Sequence, residues 1–147
     1  MVSEIFNLGI TNVHARLSEA HVDPTANIRI ARLGYATING DTVEYSVAEI
    51  RDQVAPHVHM RGDESYLVLE GTGDMFIGKV EKHAETPAWG IPSKVSSGDA
   101  FTIPAKHAHC LKRTGSEPLL ILFFGAPSNL AEDRTIVSEP NASDRQT

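Results

Sequence analysis

Between Pro56 and Gly71 the chain reads Pro-His-Val-His-Met-Arg-Gly-Asp-Glu-Ser-Tyr-Leu-Val-Leu-Glu-Gly, and this stretch leaves the backbone few choices. His57 and His59 are two residues apart, so on an extended strand both imidazoles leave the same face, about 7 Å apart along the chain, and one cation can bridge them. Glu64 stands five residues beyond His59, an odd step that would put it on the opposite face of a continuous strand. The intervening Gly62-Asp63 is turn chemistry. A hairpin ending at His59 and resuming near Glu64 brings the carboxylate beside the imidazoles, and Gly71 closes the returning strand Ser65 to Glu70.

A second stretch repeats the device. Gly98-Asp99 is a turn leading into a strand that runs toward Pro104, and His107 and His109 follow. Together the stretches resemble the paired signatures of the cupin superfamily. His57, His59, Glu64 and Gly71 match the first signature, and Gly98, Pro104 and His109 match the second. The chain departs from the pattern where the family's opening Gly is Arg51, where the Gly after the Pro is Lys106, and where the Asn after the last His is Arg113. All the ligand positions are kept.

The resemblance implies an all-β chain folded as a double-stranded β-helix, a jelly-roll barrel with little helix, spanning residues 28–137 after an N-terminal extension of residues 1–27. It implies one divalent transition metal, iron, manganese, nickel, cobalt or zinc, held by His57, His59, Glu64 and His109. Imidazole and carboxylate suit such ions, and the donor set does not choose among them. It further implies a metal-dependent small-molecule enzyme of the dioxygenase, decarboxylase or isomerase type, acting on an oxygenated organic substrate. The alternative the same barrel offers is a non-catalytic small-ligand binder or sensor, because a fold does not fix a function.

The rest of the chain fits many short strands with tight turns. Ile5 to Ile10 has weak strand character, and Val13 to Ala20 reads as a short helix stopped by Asp23-Pro24. Ile28 to Ala36 and Thr42 to Val47 flank Asn39-Gly40-Asp41, a hairpin signal. Met75 to Val80 is a strand, and Glu81 to Ser97, interrupted by Pro87, Gly90 and Pro92, reads as a long connection. Ala108 to Arg113 and the apolar Leu119 to Phe124 are the last long strands. Ser128 is placed to cap a turn of helix through Asp133, Thr135 to Val137 reads as an edge strand, and the polar Ser138 to Thr147 reads as a disordered tail.

Strand parity assigns roles around the metal. His107 shares the parity of His109 and is a candidate for proton handling; Tyr66 and Val68 share that of Glu64, the phenol as a hydrogen-bond donor and Val68 as a substrate-contacting wall. Arg113, of the same parity as His109, is a candidate for an anionic substrate group. Cys110 alternates outward and has no basic partner to activate it, so thiol chemistry is set aside.

Composition bounds the partners. With 147 residues and a net charge of −6 the chain is one domain and lacks the clustered basic residues of a nucleic-acid binder. No segment approaches the ~20 apolar residues of a membrane span or the pattern of a secretion leader, and a lone Cys110 forms no internal disulfide, so the expected setting is the cytoplasm. The apolar Ile5 to Ile10, without an obvious place in one barrel, suggests a homodimer interface.

Overall fold

The computed structural model describes residues 8–81 and 86–140. In chain order the elements are α1 (Val13–Glu19), β1 (Val22–Asp23), β2 (Ile28–Ile38), β3 (Asp41–Ile50), β4 (His57–Val58), β5 (Glu64–Glu70) and β6 (Thr72–Lys79). They continue with β7 (Ala88–Trp89), β8 (Ser93–Ser96), β9 (Ala100–Ile103), β10 (His107–Arg113), β11 (Leu119–Gly125), a 3₁₀ turn (Pro127–Leu130) and β12 (Thr135–Ile136). The strands form two antiparallel sheets, one in the order β1-β2-β3-β11-β5-β9 and the other in the order β12-β4-β10-β6-β7, with β8 also on β6. This is the expected double-stranded β-helix.

Local chemistry explains the frame. The β2–β3 hairpin turns on Asn39 and Gly40, both at positive φ (51° and 84°), the conformation that matches strand twist in a two-residue turn. Gly71, at φ 88°, lies where a Cβ would come within 2.7 Å of the Pro118 carbonyl oxygen, so β5 passes to β6 only through glycine. Between the sheets Ile50, Val68, Leu119 and Ile121 meet Met75 and Leu111 in one apolar core. On the outer face of the larger sheet α1, capped by the Asn12 side chain, buries Leu17 against Ala31, Val47 and Leu120.

Several expectations change. The chain does turn between His59 and Glu64, but β4 and β5 do not form a hairpin: β4 pairs with β10 and β12, whereas β5 pairs with β11 and β9. The turn carries the backbone from one sheet to the other. Glu81 to Ser97 is not one loop, because Ala88–Trp89 and Ser93–Ser96 both add to β6. The turn after β11 is 3₁₀, entered at Ala126 without a side-chain cap, so Ser128 lies inside it rather than capping it. Leu8 and Ile10 are exposed and outside any strand, while residues 1–7 lie outside the described part, so the N-terminal pairing expected of Ile5 to Ile10 falls largely there. Ser138 and Glu139 are tied down: the Trp89 indole donates to the Ser138 carbonyl at 3.2 Å and the Gln53 amide to Glu139 at 2.8 Å. Residues 141–147 lie outside the described part. No helix among the described residues is long and apolar enough to cross a membrane.

Candidate metal centre

The site forms where the sheets converge. His57 lies opposite His109 in the β4–β10 register, which brings their ring centroids to 4.2 Å. His59 follows β4 directly, and its main-chain carbonyl accepts from the Lys106 N–H at 2.8 Å, fixing the strand end to the β9–β10 connection. Glu64 opens β5 and lies opposite Gly125 on β11 and Ile103 on β9. The four side chains, all buried, put one donor atom each within 4.8 Å of one another.

Each imidazole is oriented by its Nδ1. That of His57 faces the Ala55 carbonyl at 2.8 Å, that of His59 the Asp133 carbonyl at 2.6 Å, and that of His109 the His107 carbonyl at 3.2 Å. A carbonyl only accepts, so Nδ1 carries the proton and each Nε2 is left with a lone pair. The Nε2 atoms of His59 and His109 lie 3.2 and 3.4 Å from the Glu64 oxygens, yet neither has hydrogen-bond geometry and both are buried without a partner. Orphaned buried lone pairs are costly. A cation removes that cost: ligand bonds of about 2.1 Å put donors roughly 3–4 Å apart, so the cluster is within a small adjustment of closing on an ion. The residues present therefore fit a divalent transition metal.

Without an ion, the charges of the cluster are held by one another. Burial by itself raises the Glu64 carboxyl, but the His109 and His59 imidazoles hold it well below the usual carboxylate range. Burial keeps His57 well below the ordinary imidazole value, with the neighbouring His109 and His59 adding to the effect. His59 is also lowered by burial, and the Glu64 carboxylate more than reverses this. Burial pushes the Tyr66 phenol well above its usual value, reinforced by the charge on Glu64, so Tyr66 keeps its proton.

Tyr66 stands beside the cluster, its ring 6.1 Å from that of His109, and lines a narrow cavity between the sheets together with His57 and Glu64. Ile50, Ile121 and Phe123 form its apolar wall, and Arg134 also lines it. The other candidates are placed elsewhere. Val68 is part of the packed core and does not line this cavity. The His107 ring faces the Ala105 carbonyl at 3.0 Å and is also absent from the lining. Arg113 is at the far end of β10, opposite Gly73, and its guanidinium donates to the Ser116 carbonyl at 2.9 Å. Strand parity carries no information on distance along the strand, and Arg113 lies beyond reach of the cluster at the end of β10.

Three groups escaped sequence reasoning. The Asp133 carboxylate accepts from the Met60 and Arg61 N–H groups at 2.8 and 2.9 Å, so one residue holds both the His59 ring and the turn after it. Asn129, in the 3₁₀ turn, donates to the Asp63 carbonyl at 3.3 Å and reaches Glu64 at 3.5 Å. Behind Glu64, buried Glu44, Ser46 and Asn129 surround a polar space with room for water and not for an organic ligand. Glu44 Oε1, Ser46 Oγ and Asn129 Oδ1 have no hydrogen-bond partner there, although Arg32 Nε stands 3.0 Å from Glu44. No local signal marks these residues; their neighbours are distant in sequence.

One departure from the motif is conservative in three dimensions. Lys106 holds φ 65°, the left-handed backbone that favours the glycine expected there.

Comparison with known proteins gives a consistent result. A family model described as Cupin matches residues 33–144. No curated protein sequence matches. Among solved structures, an uncharacterized conserved protein with a double-stranded beta-helix domain from Klebsiella pneumoniae subsp. pneumoniae superimposes with a TM-score of 0.60 at 18% identity, covering 88% of this chain and 97% of that one. KdgF from Halomonas sp. gives 0.52 at 21% identity over 71% and 82%. The capsular polysaccharide assembling protein CapF from Staphylococcus aureus gives 0.58 at 16% identity, covering 82% of this chain and 34% of CapF. At these identities the similarity is one of fold.

Proposed function

We propose that this chain, which belongs to the cupin family, is a metal-dependent enzyme acting on a small oxygenated organic substrate at the centre made by His57, His59, Glu64 and His109. The carrying observation is the pair of buried, unpartnered Nε2 atoms of His59 and His109, both aimed at the Glu64 carboxylate. A divalent transition ion would supply Lewis-acid or redox chemistry, with four protein donors leaving positions open for a substrate oxygen.

The chain's own groups divide the remaining work. The Nδ1 hydrogen bonds to Ala55, Asp133 and His107 keep the ligand rings in one tautomer and one orientation. Burial holds His57 neutral, ready to ligate. Tyr66, whose proton is held by burial and by Glu64, is suited to donate a hydrogen bond to a substrate oxygen and unsuited to be a base. The apolar wall excludes bulk water from the reacting groups.

Elemental analysis of purified protein is expected to find about one divalent transition metal per chain, lost on substitution of His57, His59 or His109 by Ala. Full occupancy in all three variants ends the reading. Tyr66→Phe is expected to keep the metal and lower turnover of an identified substrate by ~10²-fold. A metal-loaded protein that binds ligands from a panel of organic acids, diketones, phenols and sugars under air, but turns none over, is a binding module instead.

A further inference from the structure

Arg134 lines the cavity that His57 and Glu64 also line, and its side chain is only 10% exposed. A guanidinium is expensive to bury and is retained where it has an anion to hold. Here that anion is Asp23: Nη1 meets Oδ2 at 3.1 Å and Nη2 meets Oδ1 at 3.4 Å, the two-pronged geometry of a carboxylate complex. Asp23 does not depend on this pair. Its Oδ1 already accepts from the N–H groups of Thr25 and Ala26 at 2.8 and 3.1 Å, and its carbonyl from the Asn27 N–H at 2.8 Å. It is a self-satisfied turn that lends its carboxylate to Arg134. That same turn carries Ala26 and leads into Ile28, both of which line the cavity.

The lumen between this pair and the metal ligands is narrow, with apolar walls and little space beyond that for water. An organic molecule therefore enters only if the rim gives way. The Asp23–Arg134 pair ties the β1–β2 turn to the segment after the 3₁₀ turn, so releasing it frees a guanidinium and loosens the rim in one step.

We infer that Arg134 is the receptor for a carboxylate of the substrate, with Asp23 occupying it in the empty protein and giving way when the substrate binds. The substrate class is an apolar organic acid, its carbon body against Ile50, Ile121 and Phe123 and its carboxylate on Arg134. This deepens the proposed function and rests on its reading of the cavity as the substrate site. The exchange is thermodynamically modest, because one charge-assisted carboxylate pair replaces another while Asp23 retains its backbone hydrogen bonds.

The test is calorimetric binding of 4-methylpentanoate and its amide to metal-loaded protein, wild type and variants, with metal content measured on each sample. Wild type is expected to prefer the acid by about a few-fold, what is left of a charge-assisted bond once Asp23 has been displaced. Arg134→Gln should erase the preference, and Arg134→Lys should restore part of it. Asp23→Asn, which removes the competing charge and keeps an acceptor for the turn, should tighten acid binding several-fold and the amide by less. Acid binding undiminished in Arg134→Gln would show the carboxylate on the metal alone and overturn the inference. So would weaker or unchanged acid binding in Asp23→Asn, or no binding to wild type. Wild type that takes up no divalent metal on elemental analysis and still shows the Arg134-dependent preference would sink the metal reading and leave this one standing.

Discussion

The Nδ1–H of His59 donates to the main-chain carbonyl of Asp133 at 2.6 Å, across 74 residues of sequence. The same residue's carboxylate takes the N–H groups of Met60 and Arg61, so the ligand ring and the turn behind it are set by one partner. Asp133→Ala leaves both N–H groups without an acceptor and should cost roughly 2–3 kcal/mol in urea unfolding. The main-chain carbonyl that holds the His59 ring survives the change, so metal affinity, measured by competition with a chelator, should fall only through the loosened turn, by about 10-fold or less. Unaltered affinity would make Asp133 a brace for the turn alone.

Gly125 and Asn129 make a second pair. A Cβ at position 125 would stand 2.5 Å from the Asn129 Nδ2, so the buried amide would have to shift. Gly125→Ala should push the amide away from Glu64 and weaken metal binding to about the same degree as Asn129→Ala. The two substitutions act on one contact, so the double variant should be little worse than either single one. Additive losses would separate the residues.

Lys106 bears a backbone strain that glycine would not. Removing a left-handed conformation from a residue with a Cβ gains about 1 kcal/mol, partly offset by the greater freedom of glycine in the unfolded chain. Lys106→Gly is expected to leave stability unchanged or raise it by up to ~1 kcal/mol, whereas the β-branched Lys106→Val should lower it. Thermal unfolding at equal metal content reads the difference.

Stability also depends on pH through Asp23. Burial raises its carboxyl, but the N–H of Ala26, the Arg134 guanidinium and the N–H of Thr25 together leave it below the ordinary value. With the folded value below the unfolded one, about 3.9, the unfolded chain binds the proton more readily, so this contribution is present in full above that pH. It fades as pH falls through the folded value. Wild type should therefore exceed Asp23→Asn in denaturant midpoint by a constant margin above pH ~5, and the margin should shrink below pH ~4. A margin that grows on acidification contradicts the assignment.

What the residues alone determined was local. His57 and His59 share a face because side chains alternate along a strand, the Gly62-Asp63 turn lets Glu64 rejoin them, and Asn39-Gly40 closes a hairpin because both adopt positive φ. Three residues of the candidate metal site and the strand-rich architecture follow from such steps, each only a few residues long, while His109 joins them through the second cupin signature. Lys106 shows that the backbone demand can outlast the residue type that usually meets it.

The tertiary structure decided everything set by distance between segments. Parity gave Arg113 and His109 one face, yet strand length carried Arg113 away to Ser116. The turn after His59 passes between sheets because β4 finds its partners in β10 and β12, pairings that no local pattern encodes. Asp133, Asn129 and Arg134 come to their partners only because the chain after β11 folds back against His59, Glu64 and Asp23. Alternation and turn propensity act over a few bonds, whereas these contacts depend on how two sheets close around a shared core.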